Sequence, residues 1–137
     1  MEIRPVSDGF AVAPQFDPDG MAEVARQGFV AVICNRPDGE EPGQPTIAEM
    51  REAAQQAGLA FHHIPVSGGA FPDAAIAAFR AVRQGTQGPT LAYCRTGTRS
   101  ITLETLANPQ GIDASQRLAA AQGAGYDLSA LAARIAE

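Results

Sequence analysis

At 137 residues, with 45% apolar and 18% charged residues, the chain has the make-up of one folded domain and not of a disordered or fibrous segment. A net charge of −5, with arginine supplying every basic residue, argues against a broad nucleic-acid surface, and no run of about eighteen apolar residues marks a membrane span. Two cysteines do not make a disulfide framework, and the start MEIRPVSDGF has neither the apolar core nor the basic start of a signal peptide, so a cytoplasmic location is the expectation.

The first strand is expected at FAVA, residues 10–13. In DPDGMAEVARQG, Asp17 reads as the N-cap and Pro18 as the first helical residue, with Met21, Val24 and Ala25 following at helical spacing. FVAVIC, residues 29–34, is the continuous apolar run of a strand buried on both faces. The loop NRPDGEEPGQP ends at Thr46, and Glu49 three residues on gives a capping box. Ile47, Met50, Ala54 and Ala57 then share one helical face. LAFHHIPV (59–66) reads as a third strand, PDAAIAAFRAVRQG (72–85) as a third helix, and PTLAYC (89–94) as a fourth strand. A helix is expected from near Arg99 to just before NPQG, and two more, about 113–122 and 127–136, close the chain as cover for the sheet.

This alternation predicts a single α/β domain over residues 1–137: a largely parallel central sheet of about four strands with helices on both faces. Right-handed crossovers align the strand C-termini along one rim, where open α/β sheets bind ligands. Cys94, the NRPDGEE loop and the SGGAFPD loop all follow strands and should lie there.

The segment LAYCRTGTRS carries the chemistry. Cys94 ends a strand, and a helix starts shortly after it. Loop N–H groups and the helix N-terminus can converge on the thiol, forming a nest that favours an anion. Such surroundings lower a thiol pKa from about 8.5 into the range of roughly 3.5–7.5. Gly97 permits the left-handed backbone that a tight loop needs. Arg99 can hold an anionic group bidentately beside the sulfur. Ser100 is placed to donate to the thiolate. Arg95, Thr96, Gly97, Thr98 and Ser100 therefore form the expected anion-binding loop, with Arg95 either adding positive potential or simply solvated. The plainer alternative for Cys94 is a buried free thiol.

CRTGTRS resembles the active-site loop of rhodanese-type sulfurtransferases, Cys-x-x-Gly-x-Arg. It is also similar to the phosphate loop of cysteine-dependent phosphatases, but four residues separate Cys94 from Arg99 where those enzymes have five. VICNRPDGEEPGQPT, FHHIPV, LAYCRTGTRS and AAAQGAGYDLSAL, in that order, resemble the phosphatase-like domain of the beta-lactamase hydrolase-like family, from about Arg4 to Leu131. The resemblance implies a fold like that of dual-specificity phosphatases and an enzyme labelled either phosphatase or sulfurtransferase. It further implies a possible partner, a persulfide-handling metalloenzyme to which some members are fused.

The two chemistries make different demands. A cysteine phosphatase needs a thiolate nucleophile and a general acid for the departing oxygen. The resemblance puts that acid, an aspartate, soon after the strand reading IPV, where this chain has Ser67. Asp73 is nearby but suits the first turn of a helix. Sulfur transfer from a small anionic donor, thiosulfate or a persulfide, releases a good leaving group and needs an acid less. The shorter loop also suits a persulfide sulfur. The expectation is therefore sulfur transfer through a persulfide on Cys94 with Arg99, ahead of hydrolysis of a phosphorylated substrate through a phosphocysteine. A loop that binds an anion without chemistry is the non-enzymatic reading.

Cys34 ends the second strand on the same rim and is either a thiol that resolves oxidised Cys94 or a small core residue. Arg36, Asp38, Glu40 and Glu41 are either the rim of the site or a solvated loop; Ser67 and Asp73 complete that rim. His62 and His63 are adjacent on a strand and point to opposite faces, so they cannot share a metal. No metal, cofactor, nucleic-acid or membrane partner is expected.

Overall fold

The computed structural model describes residues 1–136. Five short strands form one sheet: β1 (Arg4–Ser7), β2 (Phe10–Ala13), β3 (Ala31–Cys34), β4 (Ala60–His63) and β5 (Thr90–Tyr93). Their order is β1-β2-β5-β3-β4, with β1 antiparallel to β2 and every other pairing parallel. The expected largely parallel α/β sheet is present, with one strand more than the sequence suggested. β1 escaped notice because RPVS has neither an apolar run nor alternation. It carries Pro5 at the sheet edge, where a missing N–H costs no central ladder bond, and its register shifts between Pro5 and Ser7.

The strands split the core by simple alternation. Phe10, Val12, Ile33 and Ala92 face one layer, made with Ile76 and Phe79 of α3 (Asp73–Gly85), Ile101 and Leu103 of α4 (Thr98–Ala107) and Ala121 of α5 (Ala114–Gly123). Ala11, Ala13, Val32, Cys34, Leu91 and Tyr93 face the other. That layer is completed by Met21 and Val24 of α1 (Gly20–Arg26) and by Ile47, Met50 and Ala54 of α2 (Ile47–Gln56). Each of β2, β3 and β5 is buried along its whole length, as expected of the apolar runs FAVA, AVIC and LAY, with the polar Thr90 buried at the start of β5.

Several helix boundaries test the sequence signals. The Thr46–Glu49 capping box forms as expected, with Glu49 N donating to Thr46 Oγ1 at 3.1 Å and Thr46 N donating to Glu49 Oε1 at 3.0 Å. Ala57 falls one residue beyond α2, at its C-cap. The expected N-cap at Asp17 is displaced: the Asp17 and Pro18 carbonyls accept from Gly20 and Met21 N–H groups in a preceding turn, and Asp19 is the N-cap. α4 begins at Thr98, one residue before Arg99, and ends at Ala107, with the C-cap Asn108 in the left-handed region. The last expected helix, 127–136, resolves into a 3-10 turn at Ser129–Leu131 and the single-turn α6 (Ala132–Ile135). Among the described residues no helix is long and apolar enough to cross a membrane.

Candidate active site

β5 delivers Cys94 to the C-terminal rim, and residues 94–97 turn directly into α4. Gly97 is the N-cap of α4 at φ 95°, a left-handed conformation that side chains resist. Its N–H donates to Cys94 Sγ at 3.1 Å. Two outward anchors turn the loop peptides this way: Gln15 N–H donates to the Arg95 carbonyl at 3.2 Å, and the Tyr126 hydroxyl donates to the Thr96 carbonyl at 2.9 Å. With the Thr96 carbonyl held outside, the Gly97 N–H that follows it points towards the sulfur. Tyr126 packs so close that a Cβ on Gly97 would lie 2.2 Å from its oxygen. Cys94 is fully buried at the base of this loop.

The Thr96 and Thr98 hydroxyls are exposed and bonded to one another at 3.0 Å. Arg95 is exposed on the outer surface, 3.9 Å from Glu41. Ser100 does not point its proton at the thiol as expected. Its hydroxyl donates to Asn35 Oδ1 at 2.8 Å, and Asn35 Nδ2 donates to the Ile64 carbonyl at 2.9 Å, tying the start of α4 to the ends of β3 and β4.

Arg99 lies in the first turn of α4 and interacts electrostatically with Cys94. Its guanidinium already holds a carboxylate. Nη1 and Nη2 donate to the two oxygens of Glu40 at 2.8 Å each, and Nη1 also donates to the Val66 carbonyl at 2.9 Å. Arg36 is not part of an open rim: it is 1% exposed, and Nε donates to Glu40 at 2.8 Å, Nη2 to Glu41 at 2.6 Å and Nη1 to Gln15 at 3.1 Å. Hydrogen bonds from Arg99 pull the Glu40 carboxyl down to about 2, with burial opposing and Arg36 adding to the effect. Glu40 is therefore ionised across the neutral range.

The remaining predicted rim residues have structural employment or stand apart. Asp38 Oδ1 accepts from Ile47 N at 3.2 Å, at the start of α2. Ser67 is exposed, and Asp73 is the exposed first residue of α3. Cys34 pairs in register with Tyr93 and shares its face, in the core layer beneath α1 and α2. Cys34 Sγ lies 3.5 Å from the Arg36 carbonyl, and burial pushes its thiol up. Both cysteines are free. His62 and His63 register with Ile33 and Cys34, on opposite faces, and His63 Nε2 meets the Arg36 carbonyl at 2.8 Å. Among the described residues no group of His, Cys, Asp and Glu could hold a metal ion.

Sequence reasoning missed Asn35, Tyr126, Gln15 and the direct Glu40–Arg99 contact. None has a local signal, since each acts on a residue far along the chain; only the charge run at 36–41 hinted at Glu40.

Residues 2–111 match the family model of the beta-lactamase hydrolase-like protein, phosphatase-like domain. The chain belongs to this family. A beta-lactamase hydrolase-like protein of Agrobacterium fabrum is 45% identical over 106 residues, 77% of this chain and 25% of that protein. The chain thus spans about a quarter of the length of the curated relatives it matches. Among solved structures, a protein of Neisseria meningitidis described as a candidate phosphatase shares 33% identity with a TM-score of 0.85, covering 98% of this chain and 96% of that one. The protein named Tk-PTP, in its active form, has a TM-score of 0.70 at 20% identity, covering 91% of this chain and 85% of that one, a likeness of fold alone. The family member therefore has a phosphatase-like fold of the kind used by cysteine-based phosphatases.

Proposed function

We propose that Cys94 is the nucleophile of a thiolate enzyme and that Arg99 orients its anionic substrate, with sulfur transfer through a Cys94 persulfide as the reaction that the site geometry favours. The observation that carries this reading is Glu40. It is the carboxylate in contact with Arg99, yet its arginine partners hold it ionised, with its pKa at about 2. It cannot hand a proton to a departing alkoxide. Ser67 stands where the resemblance to dual-specificity phosphatases would put the acid, and a serine hydroxyl is no substitute. Sulfur transfer avoids that demand. The Cys94 thiolate attacks the outer sulfur of a small-thiol persulfide, the S–S bond breaks, and the small thiol leaves as its thiolate with the electron pair. An acceptor thiolate or cyanide then takes the outer sulfur and regenerates the thiolate, with no external oxidant or reductant. The donor would be a small sulfane-sulfur anion, and a persulfide-handling metalloenzyme would be a fitting partner.

The comparisons favour a second reading. The family description and the fold likeness point to cysteine-based phosphatases, so hydrolysis of a phosphorylated substrate through a Cys94 phosphocysteine has the better support from relatives. Fold alone does not choose a reaction, and the serine at the expected acid position weighs against this one.

The two are separated by incubating reduced protein with the persulfide of a small neutral thiol such as 2-mercaptoethanol and measuring the intact mass, with Cys94→Ser alongside and aryl-phosphate turnover measured in parallel. One added sulfur, absent in the variant and discharged by cyanide, is the expected result. No added sulfur with Cys94-dependent phosphate release would replace sulfur transfer by hydrolysis. Neither activity would reduce the loop to an anion-binding element.

A further inference from the structure

We propose that Glu40 is a specificity-determining residue: by lying across the Arg99 guanidinium it biases the site against negative charge, and against dianions most of all. The inference rests on the reading of Cys94 and Arg99 as the reacting pair, not on which group is transferred.

The bidentate fork of Arg99 is the feature that would match a tetrahedral dianion. Here both of its terminal nitrogens meet Glu40, and Nη1 is further shared with the Val66 carbonyl. Glu40 is not a loose surface acid that salt would strip away. Buried Arg36 donates to the same Oε1 at 2.8 Å, and Arg36 is itself fixed by Glu41 and Gln15. The positive charges around the site, buried Arg36 with Arg95 and Arg99, thus face Glu40 and Glu41, and the ion pairs leave one net positive charge before the Cys94 thiolate is counted. A dianion entering the loop must displace Glu40 from Arg99 and then sit beside it. A monoanion, such as a persulfide of a small thiol, meets half of that repulsion.

Alkylation of Cys94 reads this without assuming a reaction. Iodoacetate and iodoacetamide are similar in size and differ by one negative charge. Their rate ratio at Cys94, followed by peptide mass, is measured in wild type, Glu40→Gln and Glu41→Gln, with far-UV circular dichroism as a check on folding. Glu41 contacts Arg36 and Arg95 but not Arg99, so it controls for the net-charge change alone. Glu40→Gln should raise the iodoacetate-to-iodoacetamide ratio at least about fivefold, and Glu41→Gln by less than about twofold, as expected for charges at contact distance against charges screened by solvent. Sulfate protection of Cys94 should strengthen in the same order. Equal ratios in all three proteins, or equal rises in both variants, would overturn the proposal. Should Glu40→Gln fail to fold, Glu40→Asp keeps the charge, shortens the reach to Arg99 and should raise the ratio in the same direction; no rise would overturn it. Failure of iodoacetamide to label Cys94 in wild type would instead sink the reading of Cys94 itself, and this inference with it.

Discussion

At Gly97 a left-handed backbone and the Tyr126 hydroxyl meet in one place, with φ 95° and room for no Cβ. Gly97→Ala should cost about 1–3 kcal/mol, from positive-φ strain together with the clash. Tyr126→Phe removes the donor to the Thr96 carbonyl and should cost about 1 kcal/mol. The double variant should lose less than the sum, because the clashing oxygen is gone while the φ strain stays. Urea denaturation of the four proteins checks this, and additivity within about 0.5 kcal/mol would mean that the two residues do not meet. Gly97 was legible in the sequence as the turn of a Cys-to-Arg loop. Tyr126 was not, because its role depends on a contact across thirty residues of chain. Ser100 failed in the opposite sense: spacing put it beside the thiol, but the Asn35 acceptor at the end of β3 takes its proton.

Among the elements, α4 has the most to satisfy, since it carries Arg99 at one end and is buried along most of its length. Its grip on α3 includes a buried ion pair: Arg83 Nε and Nη2 donate to the two Glu104 oxygens at 2.7 and 3.0 Å, while the guanidinium lies 4.7 Å from the Phe10 ring centroid. Removing one partner strands the other's charge. Glu104→Leu should therefore destabilise by about 3–5 kcal/mol, whereas Glu104→Leu combined with Arg83→Met should recover most of that loss. Urea midpoints decide it; a double variant as unstable as the single would show that the ion pair is a net source of stability. The apolar runs of β2, β3 and β5 and the capping box of α2 were readable because each is a local pattern. β1 was not, because an edge strand with proline is specified by its neighbour and not by its own periodicity.

Over the whole molecule, both core layers share the three central strands β2, β3 and β5, so neither layer can open without exposing the other's sheet face. One cooperative domain is the consequence we propose. Far-UV circular dichroism and tyrosine fluorescence should trace a single coincident urea transition, and two separated midpoints would count against it. From the sequence alone came the α/β class, the parallel crossovers, and the strand-to-helix loop that sets Cys94 before Arg99. These are written in short-range pattern: apolar runs, caps, and a glycine at a fixed offset. Only the tertiary structure decided what surrounds them. It packed Cys34 into the core layer beneath α1 and α2, buried Arg36, and brought Glu40 onto Arg99 across fifty-nine residues. Those placements depend on strand register and on ion pairs between segments distant in the chain, and neither leaves a mark within any one window of sequence.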